Sequence, residues 1–142
     1  MQRNAVGDTA AVKGSAYMIK LPDCELQVMR VIWDAGEPVS PPEIKERLEK
    51  LHQRTYGRST IATWLKRLKE KGFVESYVEH GVSYVSACVQ EEEYRKEVVE
   101  EVSNFWFKGS VGRFFAAFTE QNGLTEEDAR EIREILDEWD NR

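Results

Sequence analysis

"RSTIATWLKRLKEKGFVESYVEHGVSYV", residues 58–85, changes period in its middle. Up to Leu68 the apolar residues Ile61, Trp64, Leu65 and Leu68 gather within about 100° of arc at helical spacing, which predicts a helix opened by Arg58 or Ser59. Gly72 ends it. From Phe73 the period is two: "FVESYV" and "VSYVSACV" are rich in Val, Tyr and Phe and are separated by "EHG", with Gly81 able to supply the positive φ that a hairpin turn needs. Two strands alone are marginal, so this hairpin must pack on the helices that precede it.

Upstream, "VSPPEI" (39–44) is the sharpest local signal. Ser40 reads as an N-cap, Pro41 as the first helical residue and Glu43 as the closing member of a capping box, with Val39 placed to staple onto Ile44. The helix it opens would bury Ile44, Leu48 and Leu51 and fray in "HQRTYG", where Gly57 breaks the pattern. Before it, Asp23 would cap a helix over about 24–35 that buries Leu26, Met29, Ile32 and Trp33, with Gly36 at the left-handed C-terminal position. Three helices followed by a hairpin is the order of a winged helix-turn-helix, expected over residues 21–89.

Beyond Val89 the helical period returns. Tyr94, Val98, Val102 and Phe105 mark one amphipathic helix. Val111, Phe114, Phe115 and Phe118 mark a second after Gly109-Ser110. Ala129, Ile132, Leu136 and Trp139 mark a third, capped by Thr125 with Asp128 in the capping box. With Trp106, these offer many large apolar groups but too few residues to enclose them in a private core. Residues 90–142 therefore either pack on the first domain or pair with another chain. The fold class is mainly α: an N-terminal winged helix-turn-helix, three helices plus a hairpin wing, and then a C-terminal region of three helices. Residues 1–20, rich in Ala, Gly, Ser and Thr without periodicity, read as a flexible arm.

The chain has 142 residues and a formal net charge of −6, distributed unevenly. Residues 1–20 hold three bases and one acid, residues 21–88 ten of each, and residues 89–142 seven bases against fifteen acids. The acidity thus belongs to the C-terminal helices, while Gln53 to Gly72 carries six Lys or Arg and one acid. Such a basic stripe is the local footprint of nucleic-acid binding whatever the overall pI. No stretch approaches the roughly 18 apolar residues of a membrane span, and the N-terminal segment lacks the pattern of a secretory signal, so membrane insertion is not expected and the cytoplasm is. Cys24 and Cys88 belong to no ligand pair and read as buried small hydrophobes.

On a helical wheel the face of the third helix opposite Ile61, Leu65 and Leu68 presents Ser59, Thr63, Lys66, Arg67 and Glu70, with Thr60 at its edge. An ordinary solvated face is the plain alternative. Against it stand the helix-turn-helix context and the small side chains at the N-terminal end, which let a helix enter a major groove. There hydroxyls meet base edges or phosphates and Ala62 can touch a thymine methyl. Arg54, Arg58, Lys66 and Arg67 suit phosphate contacts. At the hairpin tip "VEHG" offers Glu79 and His80 rather than Arg or Lys; His80 is a candidate phosphate contact beside its plainer role as a solvated turn residue. His52 reads as helix surface. The spacings of nucleophilic, metal-dependent and phosphate-loop enzymes are absent, so neither an enzyme nor a cofactor or metal site is expected.

The chain resembles the penicillinase-repressor family, the BlaI/MecI type with its copper-responsive relatives, from about Leu21 to the C-terminus. The resemblance rests on "ELQVMRVIWDAG", "RSTIATWLKRLKEKGFV" and "LTEEDAREIREIL". It implies a homodimeric repressor on a palindromic DNA operator, with bases read from Ser59, Thr60, Ala62 and Thr63. The C-terminal helices would form the dimer interface through Tyr94, Val98, Val102, Phe105, Trp106, Phe114, Phe115, Phe118, Ile132, Leu136 and Trp139. It further implies induction through a membrane sensor protease pathway, with cleavage at the bond equivalent to Ala117–Phe118; Phe118 is kept and the family's Asn is Ala here. With no cysteine after Cys88, the copper-responsive Cys pair is lacking. Two alternatives stay open: a protein-interaction module on a winged-helix scaffold, and a regulator triggered by a small ligand held among Phe114, Phe115, Phe118 and Trp139.

Overall fold

The computed structural model describes residues 20–142; apart from Lys20, the arm expected over 1–20 lies outside them. The element order is α1 (Asp23–Ala35), α2 (Pro41–His52), α3 (Arg58–Glu70), β1 (Val74–Glu79), β2 (Val82–Ala87), α4 (Glu91–Phe107), α5 (Val111–Asn122) and α6 (Glu126–Asp140). This is a mainly α chain with an N-terminal winged helix-turn-helix. It divides into two compact units, the first ending at Glu97 and the second running from Val98 to Arg142, so the division falls within α4.

In the first unit α1, α2 and α3 pack on one another and on the hairpin. The core is built from Val28, Met29 and Ile32 of α1, Ile44 and Leu48 of α2, Ile61, Leu65 and Leu68 of α3, and Phe73, Val74, Val85 and Val89. Burial of this apolar surface, at about 25 cal/mol per Å2, is what holds the three helices together. The strands pair antiparallel from Val74↔Ala87 to Glu79↔Val82. Their two-residue turn puts both His80 (φ 52°) and Gly81 (φ 77°) in the left-handed region, the backbone that a tight hairpin of right-twisted strands demands. Val39 exchanges two backbone hydrogen bonds with Val85, 3.0 and 2.7 Å, and so adds a single-residue bridge to the sheet.

Several local expectations are corrected. Pro22, not Asp23, occupies the N-cap of α1, with no side-chain cap bond, and Asp23 is already helical. Leu26 and Trp33 are only partly buried; Val28 and Val31 take the inner positions, because the helix face turned to α2 and α3 is centred one residue further round. Leu51 is 58% exposed, and it is the next residue, His52, that reaches Gln27 of α1. Gln53, at φ 53°, ends α2 in the left-handed conformation, while Gly57 is the extended N-cap of α3. Cys24 is only partly buried and Cys88 is exposed; partial desolvation, aided by the Glu75 charge, still pushes the Cys88 thiol up from its ordinary pKa. The capping boxes Ser40/Glu43 and Thr125/Asp128 and the left-handed Gly36 are as the sequence predicts.

Tyr94 is the largest correction. The helical pattern groups it with the dimerisation residues, yet it is 7% exposed in the core of the first unit. Its hydroxyl accepts a hydrogen bond from the Leu21 N–H at 2.9 Å, and its ring meets Phe73 and Trp33. The second unit is a set of helices without a core: no residue from Val98 to Arg142 is fully buried. Phe105 and Trp106 are about 70% exposed (73% and 69%), and Phe114, Phe115, Phe118, Leu136 and Trp139 are exposed as well. Val98 is also exposed, and Val102 and Ile132 are partly buried.

Candidate nucleic-acid interface

α3 is fixed at both ends, and each fixture is a specific side chain. At its start, the turn from α2 is organised by Glu49. The carboxylate accepts from Lys45 Nζ at 2.8 Å and from the Tyr56 backbone N–H at 2.9 Å. Those two bonds, the lysine's first, hold Glu49 below the usual carboxylate range. The Tyr56 hydroxyl lies 2.6 Å from His52 Nδ1, and His52 Nε2 lies 3.3 Å from Gln27 Oε1. The Tyr56 ring then meets Trp64 of α3 edge-on at 5.6 Å, and the Arg54 guanidinium sits over the same ring at 5.0 Å. His52 is thus a link between α1, α2 and the turn, not plain helix surface. The spacing His52-x-x-x-Tyr56 places the two side chains within reach, but Gln27 is brought in only by tertiary packing.

At the other end, Lys71 reaches across to α1, with Nζ 2.5 Å from Glu25 Oε1. Glu25 is 1% exposed, a carboxylate that only a partner makes tolerable in the core. The pair pins the C-terminal end of α3 against α1. Neither residue stands out in sequence, since Glu25 sits among helix residues and Lys71 among the bases of the stripe.

Between these fixtures the outward face of α3 exposes Arg58, Ser59, Ala62, Thr63, Lys66 and Arg67, with Thr60 half-buried. The Thr63 hydroxyl donates to the Ser59 carbonyl at 2.9 Å and keeps its lone pairs outward. The charges on this face are unspent. Among the described residues Arg54, Arg58, Lys66, Arg67 and Lys69 have no carboxylate partner, whereas Arg30, Lys45, Arg47, Lys50, Lys71, Arg95 and Lys96 of the same unit are all ion-paired at 2.5 to 4.0 Å. An unneutralised row of cations beside short hydroxyl side chains is suited to a polyanion. His80 is exposed at the hairpin tip, among Val78, Glu79 and Val82.

Among the described residues no group of three or more His, Cys, Asp or Glu is placed to hold a metal ion, and no helix is long and apolar enough to cross a membrane. Ala117 and Phe118 lie within α5, so the bond between them is in helical backbone.

The penicillinase repressor family model matches residues 21–138 of this chain. The chain belongs to the penicillinase repressor family. The penicillinase repressor of Bacillus licheniformis is 30% identical over 128 residues, covering 88% of this chain and 98% of that protein. The methicillin resistance regulatory protein MecI of Mammaliicoccus sciuri is 26% identical over 117 residues, or 82% of this chain and 93% of its own. Among solved structures, the DNA-binding domain of the repressor BlaI is 31% identical and covers 53% of this chain and 88% of its own length, with a TM-score of 0.45. The family is one of repressors, and the helix whose outward charges are unspent lies inside the matched segment.

Proposed function

We propose that this protein is a homodimeric transcriptional repressor that binds a palindromic operator in double-stranded DNA, acting by occupancy and not by catalysis. The observation that carries the reading is the outward face of α3, where Arg58, Lys66 and Arg67, with Arg54 in the turn before it, are cations without carboxylate partners among the described residues, beside a helix start made of small and hydroxyl side chains. Ser59, Thr60, Ala62 and Thr63 enter the major groove and meet base edges. Arg54, Arg58, Lys66 and Arg67 hold phosphates on either side, and His80 touches backbone from the wing. The residues up to Glu97 form the DNA-binding unit and those from Val98 the dimerisation unit. Phe105, Trp106, Phe114, Phe115, Phe118, Leu136 and Trp139 are exposed in one chain and supply the core that a second copy completes, with Val98, Val102 and Ile132 beside them. Tyr94 contributes indirectly, by securing the base of α4. A repressor working this way acts in the cytoplasm, where the DNA is.

Release follows from the same organisation. Cleavage at Ala117–Phe118, through a membrane sensor protease pathway, would remove part of the dimer face, and a protease needs that segment extended. α5 therefore has to open locally before it can be cut. Selection of bound sequences from a random duplex pool tests the proposal. Enrichment of an inverted repeat with half-site centres a whole number of turns apart, about 10–10.5 base pairs each, is expected; a pool that emerges without any repeat would count against both DNA reading and dimerisation.

A further inference from the structure

Arg54 is set apart from the other α3-side cations by what lies beneath it. Its guanidinium carbon is 5.0 Å from the centroid of the Tyr56 ring, a distance at which the negative face of an aromatic ring attracts a cation. Two other arginines of the described residues sit over a ring, and their settings differ. Arg30 lies over Trp33 but is also ion-paired with Asp34 and Glu91, and Arg142 lies over Trp139 in the second unit. Arg54 is exposed and has no carboxylate partner among the described residues. The ring therefore steers this side chain and leaves its charge unspent.

The ring is itself held from three directions. The Tyr56 backbone N–H donates to the Glu49 carboxylate at 2.9 Å, the hydroxyl lies 2.6 Å from His52 Nδ1, and the ring meets Trp64 edge-on at 5.6 Å. A long, exposed arginine gives up much of its rotamer freedom when it closes on a phosphate, whereas one already laid on a fixed ring has given it up beforehand. We propose that Tyr56 is a positioning residue for DNA binding, acting through Arg54, whose guanidinium its ring holds ready for a backbone phosphate at the entrance to α3. The inference rests on the DNA reading of the α3 face.

Its test is a double-mutant cycle on the full chain, read by anisotropy of a fluorescent mixed-sequence duplex at low salt, since phosphate contacts do not depend on sequence. Tyr56→Leu weakens binding about 2- to 5-fold per bound copy, the scale of an exposed cation–π pair. In an Arg54→Ala background the same change costs nothing further. Tyr56→Phe keeps the ring and recovers most of the loss, and Arg54→Ala then costs it what it costs the wild type. Should Tyr56→Leu fail to fold, Arg54→Lys serves instead: it keeps the charge, loses the planar group that lies on the ring, and weakens binding by a similar factor. A Tyr56→Leu penalty that is the same with and without Arg54, or Arg54→Lys binding as tightly as the wild type, overturns the positioning role and leaves the DNA reading standing. Failure of the wild type to bind any duplex refutes the DNA reading and this role with it.

Discussion

Loss of Lys71 is expected to damage the first unit more than loss of Glu25, although the two form one ion pair. The reason is the difference in their surroundings: the Glu25 side chain is 1% exposed and that of Lys71 27%. Lys71→Met leaves a carboxylate in the core with no cation, a change that typically costs about 3–5 kcal/mol. Glu25→Gln leaves an ammonium that can turn to water while the amide oxygen still accepts, so the cost is about 1–2 kcal/mol. The double change Glu25→Leu/Lys71→Met removes both charges and should recover most of the loss, because a buried ion pair is replaceable by hydrocarbon of similar volume. Urea unfolding of the full chain, followed through NMR signals of Val28, Leu68 and Phe73, reads the first unit separately from the second. An equal or larger penalty for Glu25→Gln would refute the reasoning, as would a double variant no more stable than Lys71→Met.

Ser40→Ala removes the side-chain oxygen that accepts from the Glu43 N–H, and the same urea series should show a loss of about 1 kcal/mol. Arg30 bonds to Glu91 at 2.7 Å and, chiefly through that hydrogen bond, holds the Glu91 carboxyl below its ordinary range. A depressed carboxyl pKa stabilises above its unfolded value and ceases to as pH falls through the folded one. The stability gap between wild type and Arg30→Met should therefore be present at pH 7 and close as the pH drops below the usual glutamate range, in urea melts at stepped pH. Replacing Phe115 and Trp139 by Ser should dissociate the dimer in sedimentation equilibrium. At about 2 kcal/mol for each buried interface aromatic, and with each substitution present in both copies, the dimer Kd rises on the order of 1,000-fold per substitution; a wild-type chain that sediments as a monomer would remove the interface altogether.

The legible parts of this fold are those fixed by local chemistry. Ser40, Pro41 and Glu43 announce α2 because a capping box is a short-range arrangement, and the change of period at Phe73 announces the hairpin because strand and helix expose different faces. Apolar spacing alone could not rank residues within a stripe: Leu51 repeats at the correct interval yet is exposed, while the polar His52 beside it makes the contact to α1. It also grouped Tyr94 with the residues of the later helices, whereas its ring lies in the core of the first unit, since an amphipathic helix does not say which neighbour each turn meets, and α4 runs from one compact unit into the next. At the candidate site, which residues point outward on α3 was readable from the wheel. What holds α3 in place was not: Glu25 with Lys71, and Gln27 with His52 and Tyr56, join positions 46 and 25 residues apart. The unspent state of the α3 cations was likewise hidden, because pairing within 4 Å is a property of three dimensions.

The central claim is that Lys66 and Arg67 hold phosphate on an operator. Its most direct test is the dependence of operator affinity on salt concentration for the wild type and for Lys66→Ala/Arg67→Ala. Each lost phosphate contact lowers the slope of log K against log salt by about 1. The double variant of a dimer on two half-sites should bind less tightly and show a slope smaller by about 4. An unchanged slope, at any affinity, would mean that these side chains do not touch the backbone and that the α3 face is not the DNA surface.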